Sequence, residues 1–227
     1  LYENGLSLVD VVASEEPIKL IGKLAPVVAE FIKDQQNLER ILNSNIIYSF
    51  IDYNIQALDE QFEIPSIAIN PEGHPYANWI KQSEIRTILE VVKGLVDQAE
   101  VNNIDFSAIF DLETAEIIDQ LVPVILDYTA VPENEAFLLS SDILYFTMSD
   151  QLLKFEEVDV PAEAIESSGV YTGWIIKSEI TTALDVVRGI HEEAENDGVS
   201  ISDIILAGST EEILDLVFPV IAKYLDK

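Results

Sequence analysis

The sequence predicts a mainly α-helical protein made of tandem helical repeats of about 97 residues, each with a short irregular or β-hairpin insertion. Three observations predict it. The string "YANWIKQSEI" from Tyr76 returns as "YTGWIIKSEI" from Tyr171. Over the 25 residues that begin at each tyrosine, 13 positions are identical, where ordinary composition gives about one or two by chance. A proline-centred string occurs three times, as "LIGKLAPVVAEF", "IIDQLVPVILDY" and "ILDLVFPVIAKY", with Pro26, Pro123 and Pro219 spaced by 97 and 96 residues. Between these landmarks apolar residues recur at three-and-four spacing, the period of an amphipathic helix.

The similarity extends upstream of the doubled string. "SNIIYSFID" from Ser44 answers "SDILYFTMS" from Ser141, and "EIPSIAI" from Glu63 answers "DVPAEAI" from Asp159. The blocks divide the chain into a half-unit over 1–40 and full units over 41–138 and 139–227. The same blocks also phase as units over 1–100 and 101–195 with the half-unit behind. An array that begins and ends on the same half-unit is expected of a segment from a longer repeat protein. The opening "LYENGL", with neither an initiator Met nor a signal peptide, fits that expectation.

Taken in order, Leu6 to Val12 reads as a short helical turn and Glu15 to Ile32 as the first proline helix. Ile46 to Leu58 follows as a helix, and then "EIPSIAINPEGHPYANWI", whose Pro and Gly and alternating apolar positions suit a short hairpin. Ser83 to Glu100 carries Ile85, Ile88, Leu89, Val92, Leu95, Val96 and Ala99 on one stripe. Ser83 is placed to cap this helix, with Glu84 in the first turn against the positive end of the dipole. Asp105 to Phe110 is a short helical turn and Thr114 to Tyr128 the second proline helix.

The second copy predicts the same order: Ile143 to Leu153, the segment "DVPAEAIESSGVYTGWI", and a long helix capped by Ser178. That helix carries Ile180, Ala183, Leu184, Val187, Ile190 and Ala194; a turn over Ser202 to Leu206 and the helix Thr210 to Leu225 follow. Gly94 and Gly189 fall mid-helix, where glycine costs about 1 kcal/mol relative to alanine. Their recurrence predicts close approach of another backbone. Each repeated proline removes the donor to the carbonyl four residues back, at Gly22, Asp119 and Asp215, which predicts a kink or a split.

Charge narrows the function. Forty-two acidic residues against 12 basic ones leave a net charge of -30. That field repels a phosphate backbone and anionic lipid alike, so nucleic acid and direct membrane insertion are excluded as modes of action. Every apolar run is shorter than the roughly 20 residues that span a bilayer. The absence of Cys removes disulfides, thiolate metal sites and cysteine nucleophiles. Phosphate-loop, zinc-protease and nucleophile-elbow motifs are absent from the sequence. His74 and His191 are not doubled, so neither belongs to a site built into the unit, and no catalytic residue is assigned.

Two sets of doubled residues are candidates for binding. Glu60 with Glu63, answered by Glu156 with Asp159, precedes Pro65 and Pro161. Such paired carboxylates suit calcium, a hard ion that takes several oxygen ligands, or else form a solvated acidic loop. "EAENDGVSISDI" fails as a calcium loop because Ile204 stands where the bidentate glutamate belongs, and Gly198 reads as a helix C-terminal glycine. Tyr76, Trp79, Tyr171 and Trp174 either form aromatic platforms for a sugar or peptide or plug a junction in the scaffold.

The expectation is a non-enzymatic structural or adhesive segment of a larger secreted or cell-surface bacterial protein, serving as stalk, spacer or binding module. Its partner is then another protein or the neighbouring repeats of the same chain. The alternatives are an intracellular, cytoplasmic helical-repeat scaffold for a peptide or protein partner, and a calcium-dependent binding module.

Overall fold

Side-chain caps and apolar stripes set most helix boundaries in this chain. The computed structural model describes residues 17–57, 63–154, 160–206 and 210–225, in which the chain is mainly helical and without strands. The first half holds α1 (Pro17–Ile32), α2 (Gln35–Asn43), α3 (Asn45–Gln56), a 3-10 turn at Ser66–Ala68 and α4 (Gln82–Val101). Then come α5 (Phe106–Ile109), α6 (Thr114–Thr129), α7 (Pro132–Leu138) and α8 (Asp142–Leu153). A 3-10 turn at Ala162–Ala164, α9 (Lys177–Asp197), α10 (Ile201–Ile205) and α11 (Thr210–Leu225) complete it. The turn expected over Leu6 to Val12 lies outside the described residues.

The caps are real, though not all are those the sequence suggests. Asp34 accepts from the amide of Gln36, Ser44 from Ile47, Asp105 from Ser107, Ser141 from Leu144 and Ser200 from Asp203. Ser83 and Ser178 are not caps. The long helices begin one residue earlier, at Gln82 and Lys177, because the carbonyls of Lys81 and Ile176 already accept from the amides of Glu84 and Glu179. Helices α2 and α7 have no counterpart in the sequence reading. Both are short, and "QQNLER" hides in polar residues a stripe whose Leu38, Ile41 and Leu42 are buried.

The expected hairpins reduce to one antiparallel bridge each, Ile69 with Ile80 and Ile165 with Ile175. Ladder bonds stop there because the 3-10 turn supplies the near side and a tight loop the far side. The repeated prolines lie inside unbroken helices, since a single missing donor leaves the rest of each ladder in place.

The mid-helix glycines do mark a close approach, but of a side chain rather than a backbone. A Cβ on Gly94 would collide with the ring of Tyr128, and one on Gly189 with the ring of Tyr224. Gly22 stands in the same relation to Phe110. Left-handed positions also pair across the offset. Asn103 (φ 58°) and Gly198 (φ 72°) each end a long helix, and the next amide bonds back five residues, Ile104 to Ala99 at 2.8 Å and Val199 to Ala194 at 2.9 Å.

By contacts the chain forms two compact units, neither of them continuous in sequence. Of the described residues the first holds those within 17–28, 94–131 and 183–225; in it α6 packs on α5 and α10, and α10 on α11. Val96, Ala99, Ile109, Val124, Leu126, Tyr128, Ala194 and Val220 are buried there. The second comprises 29–93 and 132–182, with α2 on α3 and the Ser66–Ala68 turn on α8. Its buried residues include Leu38, Tyr48, Ile80, Ile85, Ile143, Tyr145, Ile175 and Ile180.

Replacing glycine by alanine in a helix ordinarily stabilises by about 1 kcal/mol. At Gly94 the displaced Tyr128 ring reverses the sign, because overpacking a filled core costs about 1–3 kcal/mol. Gly94→Ala is expected to lower the urea midpoint of unfolding, and Tyr128→Leu introduced with it to recover part of the loss.

Candidate functional site

The doubled aromatics sit where the irregular segment turns into a long helix, and each cluster is built on one buried tyrosine. Tyr48 projects from α3, and its hydroxyl donates to the carbonyl of Ile80. The amide of Ile80 donates to Asp52 Oδ1, one turn further along α3, at 2.7 Å. Both backbone groups of Ile80 are thus fixed by α3. Asn70 Nδ2 donates to the Tyr48 oxygen at 3.2 Å, and Gln56 Nε2 to Asp52 at 2.9 Å, so these buried polar groups are satisfied.

The second cluster repeats the geometry with other chemistry. Tyr145 of α8 donates its hydroxyl to the Ile175 carbonyl at 2.7 Å, and the Ile175 amide donates to Ser149 Oγ at 2.8 Å. Serine therefore performs the task of Asp52. The carbonyl that ends the preceding short helix is also held in both, by Gln82 Nε2 on Leu42 at 2.7 Å and by Lys177 Nζ on Leu139.

Trp79 and Trp174 are half-buried, neither plugs sealed in a core nor free platforms. Trp79 takes the edge of Tyr48 at 5.2 Å between centroids and stacks on Tyr76 at 5.2 Å and 27°. Trp174 meets Tyr145 at 5.0 Å, Tyr171 at 5.0 Å and Phe146 at 4.9 Å. Lys177 adds its ammonium over the rings of Tyr145 and Tyr171, at 4.7 and 5.4 Å. The outer tyrosines are tied down as well, Tyr76 to Asn45 Oδ1 and Tyr171 to Asp142 Oδ1 at 2.8 Å. With those hydroxyl protons engaged inside the protein, a ligand would meet mainly ring surface.

A residue that the sequence reading took only for a first-turn charge proves structural. Glu84 is buried, accepting from Ser141 Oγ at 2.7 Å and from the amide of Ile143 at 3.3 Å. It therefore sits on the N-terminus of α8, where two donors and the helix dipole offset its desolvation. In the other unit Asp119 accepts from Ser202, from the amide at 2.9 Å and the hydroxyl at 2.8 Å. The pairings join residues far apart in sequence, so no local motif announces them.

Of the candidate calcium ligands, Glu60, Glu156 and Asp159 lie outside the described residues, and Glu63 is exposed. Among the described residues no three His, Asp or Glu side chains gather as a metal-binding group. His74 is exposed and its Nδ1 accepts from the amide of Tyr76 at 3.1 Å. His191 has a buried Nδ1 without a hydrogen-bond partner, and its Nε2 lies 3.7 Å from Glu195. Among the described residues no helix is long and apolar enough to cross a membrane. No protein-family model, curated protein or solved structure matches the chain.

Burial raises the pKa of Tyr48 and Tyr145. Tyr171 is pushed up to about 12, first by burial, then by its hydrogen bond to Asp142 and the charges of Asp142 and Glu84. Unfolded tyrosine loses its proton near 10. The folded chain holds the proton longer, so this contribution to stability is complete below pH 10 and is lost as pH rises through about 12. Tyr171→Phe is expected to make stability fall less steeply across that window, as read from urea unfolding at stepped alkaline pH.

Proposed function

We propose that this chain is a tandem helical-repeat segment, with units of about 97 residues, that serves as a structural or adhesive part of a larger secreted or cell-surface bacterial protein. One observation carries the reading: the residues that recur are spent on holding the scaffold. Tyr48 and Tyr145 clamp the carbonyls of Ile80 and Ile175, and Gly94 and Gly189 admit the rings of Tyr128 and Tyr224. A duplicated reaction centre would instead double a nucleophile, a base or a ligand set. The half-buried pairs Tyr76 with Trp79 and Tyr171 with Trp174 are the surfaces such a segment offers to a protein partner or to a neighbouring unit.

An antibody raised against the segment is expected to label intact, unpermeabilised source cells or the culture medium. Labelling only after permeabilisation would favour the cytoplasmic scaffold. Calcium is tested separately, since a ligand that binds only the folded state raises the melting temperature by mass action. The structural reading expects superimposable melting curves in calcium and in chelator, and a rise in calcium would move the function to a calcium-dependent module centred on Glu60, Glu63, Glu156 and Asp159.

A further inference from the structure

We propose that the segment binds a second copy of itself head to tail, the start of α3 in one copy docking on the exposed face of α9 in the other. The inference rests on the repeat reading above, because it transfers a contact seen inside the second unit to the exposed counterparts of its residues. In the observed contact, Glu84 of α4 receives the hydroxyl of Ser141 and the amide of Ile143 at the start of α8. The Ser66–Ala68 turn packs on the same helix.

Each side of that contact has a counterpart that is exposed. On the donor side Ser141 corresponds to Ser44 and Ile143 to Ile46. Ile143 is 2% exposed, whereas Ile46 is 83% exposed. Phe50 and Tyr53 extend the exposure along one face of α3, at 57% and 72%. Ser44 is already turned for the role: its oxygen accepts from the amide of Ile47, as Ser141 accepts from Leu144, which leaves the hydroxyl proton to donate.

On the acceptor side Glu84 corresponds to Glu179, Thr87 to Thr182 and Val91 to Val186. Glu84 and Val91 are buried, while Glu179 and Thr182 are exposed one turn apart at the start of α9 and Val186 is exposed one turn further along the same helix. Pro65, which begins the covered turn, is buried; its counterpart Pro161 is exposed. Among the described residues one surface is apolar with two donors that have no partner, and the other part apolar with one carboxylate that has none. They are complementary to each other and neither to itself, so the contact is heterologous and open-ended.

Net charge opposes it. Two copies at -30 each repel at low salt, and association strengthens at about 0.5 M NaCl, where the screening length falls to roughly 4 Å. Sedimentation velocity on the whole chain tests this, with Ile46→Asp damaging one surface and Thr182→Asp, or Glu179→Ala as a milder second variant, damaging the other. The wild type is expected to show a sedimentation coefficient that climbs with concentration past that of a dimer. Each variant alone is expected to stay monomeric, and an equal mixture of Ile46→Asp and Thr182→Asp to form a dimer that grows no further. A monomeric wild type, variants that associate as well as it does, or a mixture that stays monomeric would overturn the proposal. Glu84→Ala separates the two levels: a melting temperature lowered by several degrees beside a monomeric wild type keeps the repeat reading and discards end-to-end binding. An unchanged melting temperature removes the template, and both fall with it.

Discussion

The fold depends on one residue in each cluster being held by both its backbone amide and its carbonyl. Ile80 gives its amide to Asp52 and its carbonyl to Tyr48, so α3 dictates where the irregular segment stops and α4 starts. Ile175 is held likewise by Ser149 and Tyr145. The backbone of the described parts of the segments in between is sparsely bonded. Each owns one antiparallel bridge, a 3-10 turn and a few turn bonds, far short of the ladder that would keep a hairpin in place unaided. A buried tyrosine supplies what the backbone lacks, since its ring fills the core under the Trp while its hydroxyl satisfies a carbonyl that would cost about 1–3 kcal/mol if left bare.

The acidic composition sets a second constraint. With 12 basic residues for 42 acidic ones, four of the chain's carboxylates are held by neutral donors. These are amides and hydroxyls. Asp52 takes the amide of Ile80, Glu84 the hydroxyl of Ser141 and the amide of Ile143, Asp119 both donors of Ser202, and Glu135 the hydroxyl of Thr181. Neutral donors avoid desolvating a second charge, and three of these four carboxylates receive a backbone amide, a donor whose position the fold already fixes.

Periodicity and repetition made the long helices legible. The stripe around Ile85 and its copy around Ile180 placed α4 and α9, and the three proline strings placed α1, α6 and α11. Their ends were less so, because a serine beside a helix start looks the same whether it caps or has already entered the first turn, as at Ser83 and Ser178. Gly94 announced a tight approach but not what approached, since a ring and a backbone make the same demand on a missing Cβ. The aromatic cluster was visible as doubled residues, whereas its anchors were not. Asp52 and Ser149 share a task but not a side chain, and Glu84 meets Ser141 across 57 residues.

Where the two strings differ, the differences themselves follow the physics. At the loop position Asn78 stands with φ 68° where the second string has Gly173 with φ 90°, and Asn103 trades with Gly198 in the same way; both residue types tolerate the left-handed region. At the foot of the long helix Asn102 donates to Asp127, and at the corresponding place Asp197 receives Lys223, so donor and acceptor exchange sides while the contact persists. Changes of that kind are correlated in pairs because each contact is needed in both places. Exposed positions are under no such demand. Phe50 and Tyr53 stand exposed on α3, while Thr147 and Asp150 replace them on α8. The interior of the two strings is thus held to one pattern of contacts even where the side chains differ, as at Asp52 and Ser149.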